Sequence, residues 1–446
     1  MKACLIISLL GAAVAPALAA KGNLTPITVK GNAFFAGDKR FYVRGVAYQP
    51  GGAADAQDPL LDLKSLKRDV DNFKKLGINT VRIYTIDNSK NHDEGMKMLD
   101  DAGIYLALDA NTPKYSLNRE NADTLHTSYN DVYLQSVFAT VDAFAEYNNL
   151  MLFFSGNEVI NAKNNSNAAP YIKAVTRDMK QYISNRHERI IPVGYSAADV
   201  TENIEQQATY FNCGTDDERS DFFAFNDYSW CDPSSFTQSG WDKKVKTYGN
   251  YSKPIFLSEF GCITNTRQWG EIAALYSKNM TSVYSGGLAY EYTVEPNGYG
   301  LVEVGSDGNI KPNADFDRLA KALKATPNPT DDGGFKENGS ASKCPDESDD
   351  WQVKGTNLPS IPKKAAAFMD KGAGSGPGLS GDGSHFAGEP SESEAQPGSG
   401  EPTRAPTPGS TGSAGNSQGA AAGLEVPLRI IGMVAASTIF GAVLLF

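Results

Sequence analysis

The chain of 446 residues has little of what metal sites and nucleic-acid interfaces require. It has four histidines and five cysteines and no Cys-x-x-Cys motif, which argues against a zinc site. Its net charge of −11 argues against nucleic acid, which needs a basic face. No G-x-G-x-x-G or P-loop motif follows a strand-like run, which disfavours an open doubly wound sheet. We therefore expect no metal, no cofactor and no nucleic-acid partner.

The amino terminus has the pattern of a secretory signal peptide. A lone Lys2 precedes an apolar run too short to span a membrane, and a small-residue Ala-Leu-Ala sequence ends at Ala19. A buried amino-terminal helix is the alternative, but such a helix would carry a polar face. We expect residues 1–20 to be removed by cleavage after Ala19 or Ala20.

The carboxyl terminus has the pattern of a glycolipid (GPI) anchor signal. Residues 430–446 are apolar and are followed by no lysine or arginine, while a small-residue stretch and a polar spacer precede them. A transmembrane helix is the alternative, but the run is slightly short and lacks a basic stop signal. We expect residues 416–446 to be the removed signal, with the anchor on Ser413, Gly415 or Asn416. The mature protein would then lie on the extracellular face of the plasma membrane and in the cell wall.

The composition divides the remainder into a folded domain and a stalk. Residues 21–350 are rich in aromatic and apolar runs, whereas the chain is rich in Gly, Ser, Pro and Glu from about Gly372 to Gly423, so we assign residues 351–415 to a separate segment. The latter composition cannot bury a core, so we predict a flexible, disordered stalk there.

Two further features fit a secreted chain. Once Cys4 leaves with the signal peptide, an even number of cysteines remains in an oxidising compartment. Five Asn-x-Ser/Thr sequons are candidates for surface N-glycosylation. They begin at Asn23, Asn164, Asn250, Asn279 and Asn338.

The folded domain contains eight short apolar runs that alternate with helical patterns. Their nearly continuous apolar character is typical of parallel strands buried on both faces. They span 41–48, 80–85, 104–110, 150–158, 190–196, 221–229, 254–260 and 287–292. Eight alternating strands and helices predict an α/β fold of the (β/α)8 TIM-barrel type.

Chemistry in such barrels gathers at the carboxyl ends of the strands, where this sequence places two glutamates. Glu158 ends the fourth run and Glu259 ends the seventh, each directly after apolar residues. Burying an unpaired carboxylate is costly, so each must be paired, protonated or functional. An ion pair with a barrel arginine such as Arg82 is the alternative, and it is weaker for two glutamates than for one. Paired carboxyl groups are what retaining glycosidases use.

The residues also carry a resemblance. Asn157-Glu158 after strand four and Glu259 after strand seven resemble the large clan of retaining barrel glycosidases. The motifs GVAYQPGG, VRIYTID, GNEV, GYSAADV, FNCG, YSWC-x-P-SSF, FLSEFGC and YGLVEV are similar to those of the fungal GPI-anchored β-1,3-glucanosyltransferases, glycoside hydrolase family 72. This likeness runs from about Gly31 to Cys344.

The resemblance implies an activity and a set of residues. Such an enzyme cuts a β-1,3-glucan donor internally and moves the new reducing end to an acceptor glucan chain. Glu158 would be the acid/base and Glu259 the nucleophile, and the family's disulfides would be Cys213–Cys344 and Cys231–Cys262. The residues implied to contact substrate are Gln49, Tyr84, Asp109, Asn157, Asp199, Asn226, Tyr228 and Tyr292.

The sequence departs from the family pattern at two places. Leu66 and Gly95 stand where members usually have a pair of cysteines between the first two helices, so one disulfide is missing. Ile204 stands where an arginine usually follows Asp199 by five residues. Two other functions stay open: a secreted retaining β-glucan hydrolase of the same clan, which would use the same two glutamates, and a non-catalytic glucan-binding wall protein, which the two departures leave open.

Overall fold

The computed structural model of the protein describes residues 21–52, 56–353 and 357–393. The predicted signal peptide, the anchor signal and the candidate attachment residues Ser413, Gly415 and Asn416 lie outside the described residues, as does the predicted stalk beyond residue 393. In the described part of the chain, no helix is long and apolar enough to cross a membrane.

A small antiparallel sheet precedes the barrel. Its strands are β1 (Ile27–Lys30), β2 (Ala33–Ala36) and β3 (Lys39–Phe41). Phe34 of β2 packs its ring against Phe222 and Phe256, with centroids 6.1 and 5.7 Å apart. The sheet therefore closes the amino-terminal end of the barrel, away from the strand ends that carry the glutamates.

Eight parallel strands form a closed barrel in chain order, and the last strand pairs with the first. They are β4 (Val43–Ala47), β5 (Thr80–Ile83), β6 (Tyr105–Asp109), β7 (Leu150–Asn157), β8 (Val193–Ala198), β9 (Phe223–Asp227), β10 (Ile255–Phe260) and β11 (Tyr284–Ala289). A hairpin of β12 (Val302–Val304) and β13 (Ile310–Pro312) follows. The predicted TIM barrel is confirmed.

Helices surround the barrel. They are α1 (Leu63–Leu76), α2 (Asp93–Asp101), α3 (Ala122–Ser128), α4 (Asp131–Phe144), α5 (Ala169–Arg186), α6 (Ile204–Phe211), α7 (Trp241–Thr247), α8 (Gly270–Leu275), α9 (Ala314–Ala325), α10 (Lys363–Ala366) and α11 (Phe368–Lys371), with a 3₁₀ helix at Lys163–Ala168. In α1 the Asp62 side chain caps the amide of Ser65 at 3.1 Å, and Gly77 ends the helix at φ 72°. A left-handed residue at that position favours glycine.

The eighth strand lies three residues earlier than predicted. It spans Tyr284–Ala289 rather than 287–292. Gly286 in its centre adopts φ 85°, and a Cβ there would lie 2.0 Å from the carbonyl oxygen of Val43. The close approach of β4 requires glycine at this position. Because glycine is uncommon inside strands, the sequence pattern does not indicate a strand there. As a result Tyr290, and not Tyr292, directly follows the strand.

The chain stays folded beyond the predicted start of the stalk. Trp351 is fully buried, and α10 and α11 pack against α4 and α5. Backbone amides bind barrel side chains: Ala373 donates to the Tyr182 hydroxyl at 2.8 Å, and Gly378 donates to Asn88 at 2.9 Å. Residues 357–393 therefore differ from the predicted stalk, because a Gly- and Ser-rich segment can be held by backbone hydrogen bonds without a core of its own.

Both cysteine pairs that the resemblance implied are disulfides in the structure. The Cα atoms are 5.1 Å apart in Cys213–Cys344 and 5.0 Å apart in Cys231–Cys262. The first bridge connects the region after α6 to the segment that follows α9.

Each asparagine of the five sequons is exposed, while their glycosylation stays a prediction.

Candidate active site

Both glutamates lie at the carboxyl end of the barrel, and Glu259 lines a pocket there. The pocket wall also includes four of the residues expected to contact substrate, Gln49, Tyr84, Asp109 and Asn157. The structure thus brings the predicted strand-end residues of β4, β5, β6, β7 and β10 together in one cleft.

Glu259 is buried and receives hydrogen bonds on both carboxylate oxygens. The hydroxyl of Tyr84 donates to Oε1 at 2.8 Å, and the hydroxyl of Tyr228 donates to Oε2 at 2.6 Å. Burial raises the pKa of Glu259 to about 7, against the opposing effect of the Arg82 charge and the two tyrosine hydroxyls. The negative charge of Glu158 raises this pKa further, so the two carboxyl groups interact electrostatically.

Glu158 directly follows β7 and is half-buried. Its Oε1 accepts a hydrogen bond from Nδ2 of Asn226 at 2.7 Å, and its amide donates to the carbonyl of Ser196 at 2.8 Å. The residue adopts φ 48°, in the left-handed region that is uncommon for side chains other than glycine. Such a conformation persists only where surrounding contacts fix it, and these cluster at functional sites.

Arg82 contacts Glu259, and the prediction of substrate-binding residues omitted it. It is fully buried and forms two hydrogen bonds with Asp109, at 2.9 and 3.0 Å, and a longer contact of 3.4 Å with Glu259. Burial is the largest single effect and opposes its charge, but Asp109, Tyr84 and Glu259 together outweigh burial and hold the pKa of Arg82 above its usual value. Asp109 was expected to contact substrate, and the structure shows it orienting Arg82.

Two serines and two asparagines form a network beneath the glutamates. The Ser196 hydroxyl contacts Oδ1 of Asn157 at 2.8 Å and the Ser258 hydroxyl at 2.8 Å, and Ser258 donates to Oδ1 of Asn226 at 2.9 Å. The network fixes the amide of Asn226 so that its NH2 group faces Glu158. Asn157 and Asn226, both predicted, thus lie beside the Glu158 carboxyl group.

Asn226 and Tyr228 bond the two glutamates without lining the pocket, whereas Tyr292 and Asp199 lie away from the pocket wall and bond other residues. The Tyr292 hydroxyl is fully buried and donates to Asp69 at 3.0 Å, while its ring packs on Tyr48 and Phe73. Asp199 accepts a hydrogen bond from Lys244 at 2.6 Å. The shift of the eighth strand explains the first difference, since Tyr290 takes the place in the pocket wall that Tyr292 was expected to have.

Tyrosine rings form one side of the site. The ring of Tyr228 lies at right angles to that of Tyr290, with centroids 6.4 Å apart, and Tyr299 packs against both. Tyr299 was not predicted, because it follows the eighth strand by ten residues and returns to the site only through the fold. In the described residues, no group of His, Cys, Asp and Glu side chains is arranged to hold a metal ion.

Ile204, the position that departs from the family pattern, is buried at the start of α6 and belongs to the apolar core. An apolar residue fits these surroundings, and Ile204 does not line the pocket.

The comparisons with known proteins agree with this geometry. The model of the glucanosyltransferase family, glycoside hydrolase family 72, matches residues 16–327. The chain is 60% identical over 368 residues to 1,3-beta-glucanosyltransferase gel1 of Aspergillus fumigatus, covering 82% of this chain and 80% of the relative. It is 51% identical over 374 residues to 1,3-beta-glucanosyltransferase gas4 of Schizosaccharomyces pombe, covering 82% and 81%.

Solved structures are similar as well. The structure of a Gas2p mutant of Saccharomyces cerevisiae in complex with laminaritetraose and laminaripentaose superposes with a TM-score of 0.70. It is 36% identical, and the match covers 77% of this chain and 76% of that one. The structure of ScGas2 in complex with a small compound has a TM-score of 0.71 at 36% identity, covering 77% and 78%. The chain therefore belongs to the glucanosyltransferase family, glycoside hydrolase family 72.

Proposed function

We propose that this protein is a retaining 1,3-β-glucanosyltransferase, which cleaves β-1,3-glucan internally and joins the new reducing end to another glucan chain. The observation that carries the proposal is the setting of Glu259. Its carboxylate is held on both oxygens by tyrosine hydroxyls and interacts with the charge of Glu158 in the same cleft. Relatives that are 50–60% identical bear the name 1,3-beta-glucanosyltransferase.

The first step cleaves the donor. Glu158 gives its proton to the glycosidic oxygen, and the bond between that oxygen and the anomeric carbon breaks. A carboxylate oxygen of Glu259 bonds to the anomeric carbon from the opposite face, forming a covalent glycosyl-enzyme. The released fragment leaves with the proton on its new hydroxyl group.

The second step transfers the sugar. A hydroxyl of the acceptor glucan loses its proton to the Glu158 carboxylate, and its oxygen bonds to the anomeric carbon. The ester bond to Glu259 breaks, so both glutamates return to their starting states. Two inversions at the same carbon retain the β configuration.

The surroundings of Glu259 suit a nucleophile that must be ionised. Both tyrosine hydroxyls and Arg82 stabilise its charged form, while burial opposes it and leaves the pKa near 7. Asp109 keeps Arg82 in place through its two hydrogen bonds. A carboxylate that is desolvated in this way is reactive, and the two hydroxyl donors aim its oxygens.

The polar and aromatic residues of the pocket suit a sugar chain. By analogy with the clan, the Asn157 amide would bind the 2-hydroxyl next to the anomeric carbon. Gln49 would supply another polar contact, and the rings of Tyr84 and Tyr290 would offer apolar faces to sugar rings, with Tyr228 packed against Tyr290.

Product length tests transfer against hydrolysis. Reduced laminari-oligosaccharides, incubated with protein that lacks the carboxyl-terminal tail, would be followed by mass spectrometry. We expect products longer than the substrate. Shorter products alone would mean that water outcompetes the acceptor and that the protein is a hydrolase. Unchanged substrate would favour a glucan-binding protein.

We also propose that the protein acts at the extracellular face of the plasma membrane and in the cell wall, held by a GPI anchor. The signal-peptide pattern, the two disulfides, the exposed sequons and the carboxyl-terminal pattern support this. Phosphatidylinositol-specific phospholipase C should release the protein from membranes. Retention after treatment, with a known anchored protein released in parallel, would contradict the anchor.

A further inference from the structure

One wall of the pocket is a loop, residues 110–121, that leads from β6 to α3. Asn111, Ser116, Leu117 and Arg119 of this loop all line the pocket. It has no regular strand or helix, and its shape depends on two backbone hydrogen bonds between Thr112 and Tyr115 and on contacts with other parts of the molecule.

The outer side of this loop is covered by residues 376–386, which we call the carboxyl-terminal strap. The amide of Ser384 donates to the carbonyl of Lys114 at 2.9 Å, and the Lys114 ammonium donates to the carbonyls of Leu379 and Gly381 at 3.2 and 3.0 Å. The amide of Gly383 donates to the Tyr115 hydroxyl at 3.2 Å. Three consecutive loop residues are bonded to the strap, because Ser116 contacts His385 at 3.0 Å.

The strap fits too closely for any larger residue at one point. A Cβ added to Gly381 would lie 2.1 Å from the Tyr115 hydroxyl oxygen and 2.9 Å from the side chain of Pro377. The strap therefore lies directly on the loop, with no room between them.

The loop in turn contacts the backbone of Glu158. Nη1 of Arg119 donates to the carbonyl oxygen of Glu158 and lies 3.5 Å from that of Val159. Glu158 is one of two non-glycine residues with positive φ in the described chain. Its amide is bonded to Ser196 and its carboxyl group to Asn226, so Arg119 supplies the third contact, on the carbonyl side.

We propose that Arg119 is a positioning residue for Glu158, and that the carboxyl-terminal strap holds the loop from which Arg119 reaches it. The inference rests on the proposed function, in which Glu158 is the acid/base. By fixing the peptide plane after Glu158, Arg119 keeps the carboxyl group directed at the glycosidic oxygen. A small misplacement of a catalytic group costs up to about a hundredfold in rate.

The experiment distinguishes a role of Arg119 in positioning Glu158 from direct binding of glucan by Arg119 and from general damage to the site. Arg119→Met removes the donor at similar length, and Arg119→Lys keeps a cation and a donor. Each variant would be assayed on reduced laminari-oligosaccharides and on a 2,4-dinitrophenyl laminari-oligosaccharide. The dinitrophenolate leaves without a proton, so bond cleavage there needs no acid. Azide would be added as a nucleophile that needs no base.

We expect Arg119→Met to lower kcat on laminari-oligosaccharides about 10- to 100-fold with little change in KM. With azide present, the variant should cleave the dinitrophenyl substrate at nearly the same rate as the protein without the substitution. Arg119→Lys should recover part of the lost kcat. A raised KM with unchanged kcat would mean that Arg119 binds glucan directly. Equal losses on both substrates would mean general damage to the site. Either result would overturn the proposal.

The strap is tested by Gly381→Ala, with Asp382→Ala as the matched control at an exposed neighbouring position. The alanine methyl group would displace the strap from Tyr115, and the same substrate-selective loss of kcat should appear. Normal kcat in Gly381→Ala, with the strap shown to be displaced by faster amide exchange at residues 383–384, would remove the strap from the proposal.

Glu158→Ala keeps this test separate from the test of function. It should lose activity on laminari-oligosaccharides and form glycosyl azide from the dinitrophenyl substrate. If it does not, the proposed acid/base fails. If it does and Arg119→Met behaves otherwise, only the positioning role fails.

Discussion

Burial of the Glu259 carboxyl group favours its protonated form, whereas the proposed reaction needs the ionised form. Its folded pKa of about 7 lies above the ordinary glutamate value, so the folded state holds its proton more tightly than the unfolded state does. Stability is then lost as pH rises from about 4.5 to 7. A pKa rise of that size corresponds to roughly 3 kcal/mol above pH 7.

Replacing this carboxyl group should therefore stabilise the protein in a pH-dependent way. Glu259→Gln should raise Tm relative to the unchanged protein at pH 8 and leave it nearly unchanged at pH 4, as measured by thermal unfolding. Glu303→Gln, at an exposed position, should have the same small effect at both pH values. An equal rise at pH 4 and pH 8 for Glu259→Gln would show that its burial does not cost stability through ionisation.

The tyrosine donors make a second prediction about the same group. Tyr84→Phe and Tyr228→Phe each remove a hydrogen bond that lowers the pKa of Glu259. The acid limb of kcat/KM against pH should move to higher pH in both, because a smaller fraction of Glu259, the proposed nucleophile, is then ionised at a given pH. Tyr292→Phe is the control, since its hydroxyl bonds Asp69. An unmoved limb in the first two variants, or an equal shift in the control, would contradict the assignment.

Some residues of the site could be placed from the sequence alone, and others could not. Glu158, Glu259 and Asn157 could be placed because they directly follow apolar runs. Tyr292 was expected at the position that Tyr290, two residues earlier, has in the structure. The cause is that Gly286 and Gly287 make the preceding strand hard to recognise in the sequence. Arg82 was seen only as a possible ion-pair partner, since which of two carboxylates it binds depends on geometry across the barrel.

At the scale of elements, α1 and α2 show how the missing disulfide is accommodated. Leu66 is fully buried in the core, and Gly95 begins the part of α2 that touches the chain before α1. A Cβ at Gly95 would lie 2.4 Å from the carbonyl oxygen of Leu60. The two positions are therefore packed for leucine and glycine.

Restoring the cysteine pair should consequently fail to stabilise the protein. Gly95→Cys should lower Tm because the backbone of Leu60 must move, and Leu66→Cys should lower it by leaving a cavity, with a cost of a few kcal/mol. The double variant should remain less stable than the unchanged protein even under oxidising conditions. A Tm above that of the unchanged protein, reversed by reductant, would show that the backbone adjusts and the bridge forms.

The strands and long helices could be predicted from periodicity, whereas the segment after residue 350 could not. Its Gly, Ser and Pro content is that of a flexible chain. Residues 357–393 nevertheless lie along α4, α5 and the loop of residues 110–121 that lines the pocket. Their contacts include backbone hydrogen bonds to the side chains of Asn88, Tyr115 and Tyr182. The composition of a segment does not reveal hydrogen-bond partners that lie 191 to 290 residues away in the chain.

At the scale of the whole molecule, the predicted glycosylation sites can be placed relative to the two ends of the barrel. Asn250 and Asn279 lie in the connections leading into β10 and β11, at the end of the barrel opposite the glutamates. Asn164 lies on the same end as the pocket, in the 3₁₀ helix after β7. Glycans at the first two positions would leave the cleft open to a polymer, which the proposed function requires. The fold class was predictable because eight alternations of strand and helix have few other solutions.

The central claim is that Glu259 forms a covalent bond to the sugar, and trapping that bond tests it most directly. A laminari-oligosaccharyl fluoride carrying fluorine at C2 of the reacting sugar would be incubated with the protein, because that fluorine slows release of the glycosyl-enzyme. Peptide mass mapping would locate the adduct. We predict one added sugar chain, on the peptide that contains Glu259, which is chased off by an acceptor laminari-oligosaccharide. An adduct on any other residue, or turnover of the reagent with inversion and no adduct, would contradict the account.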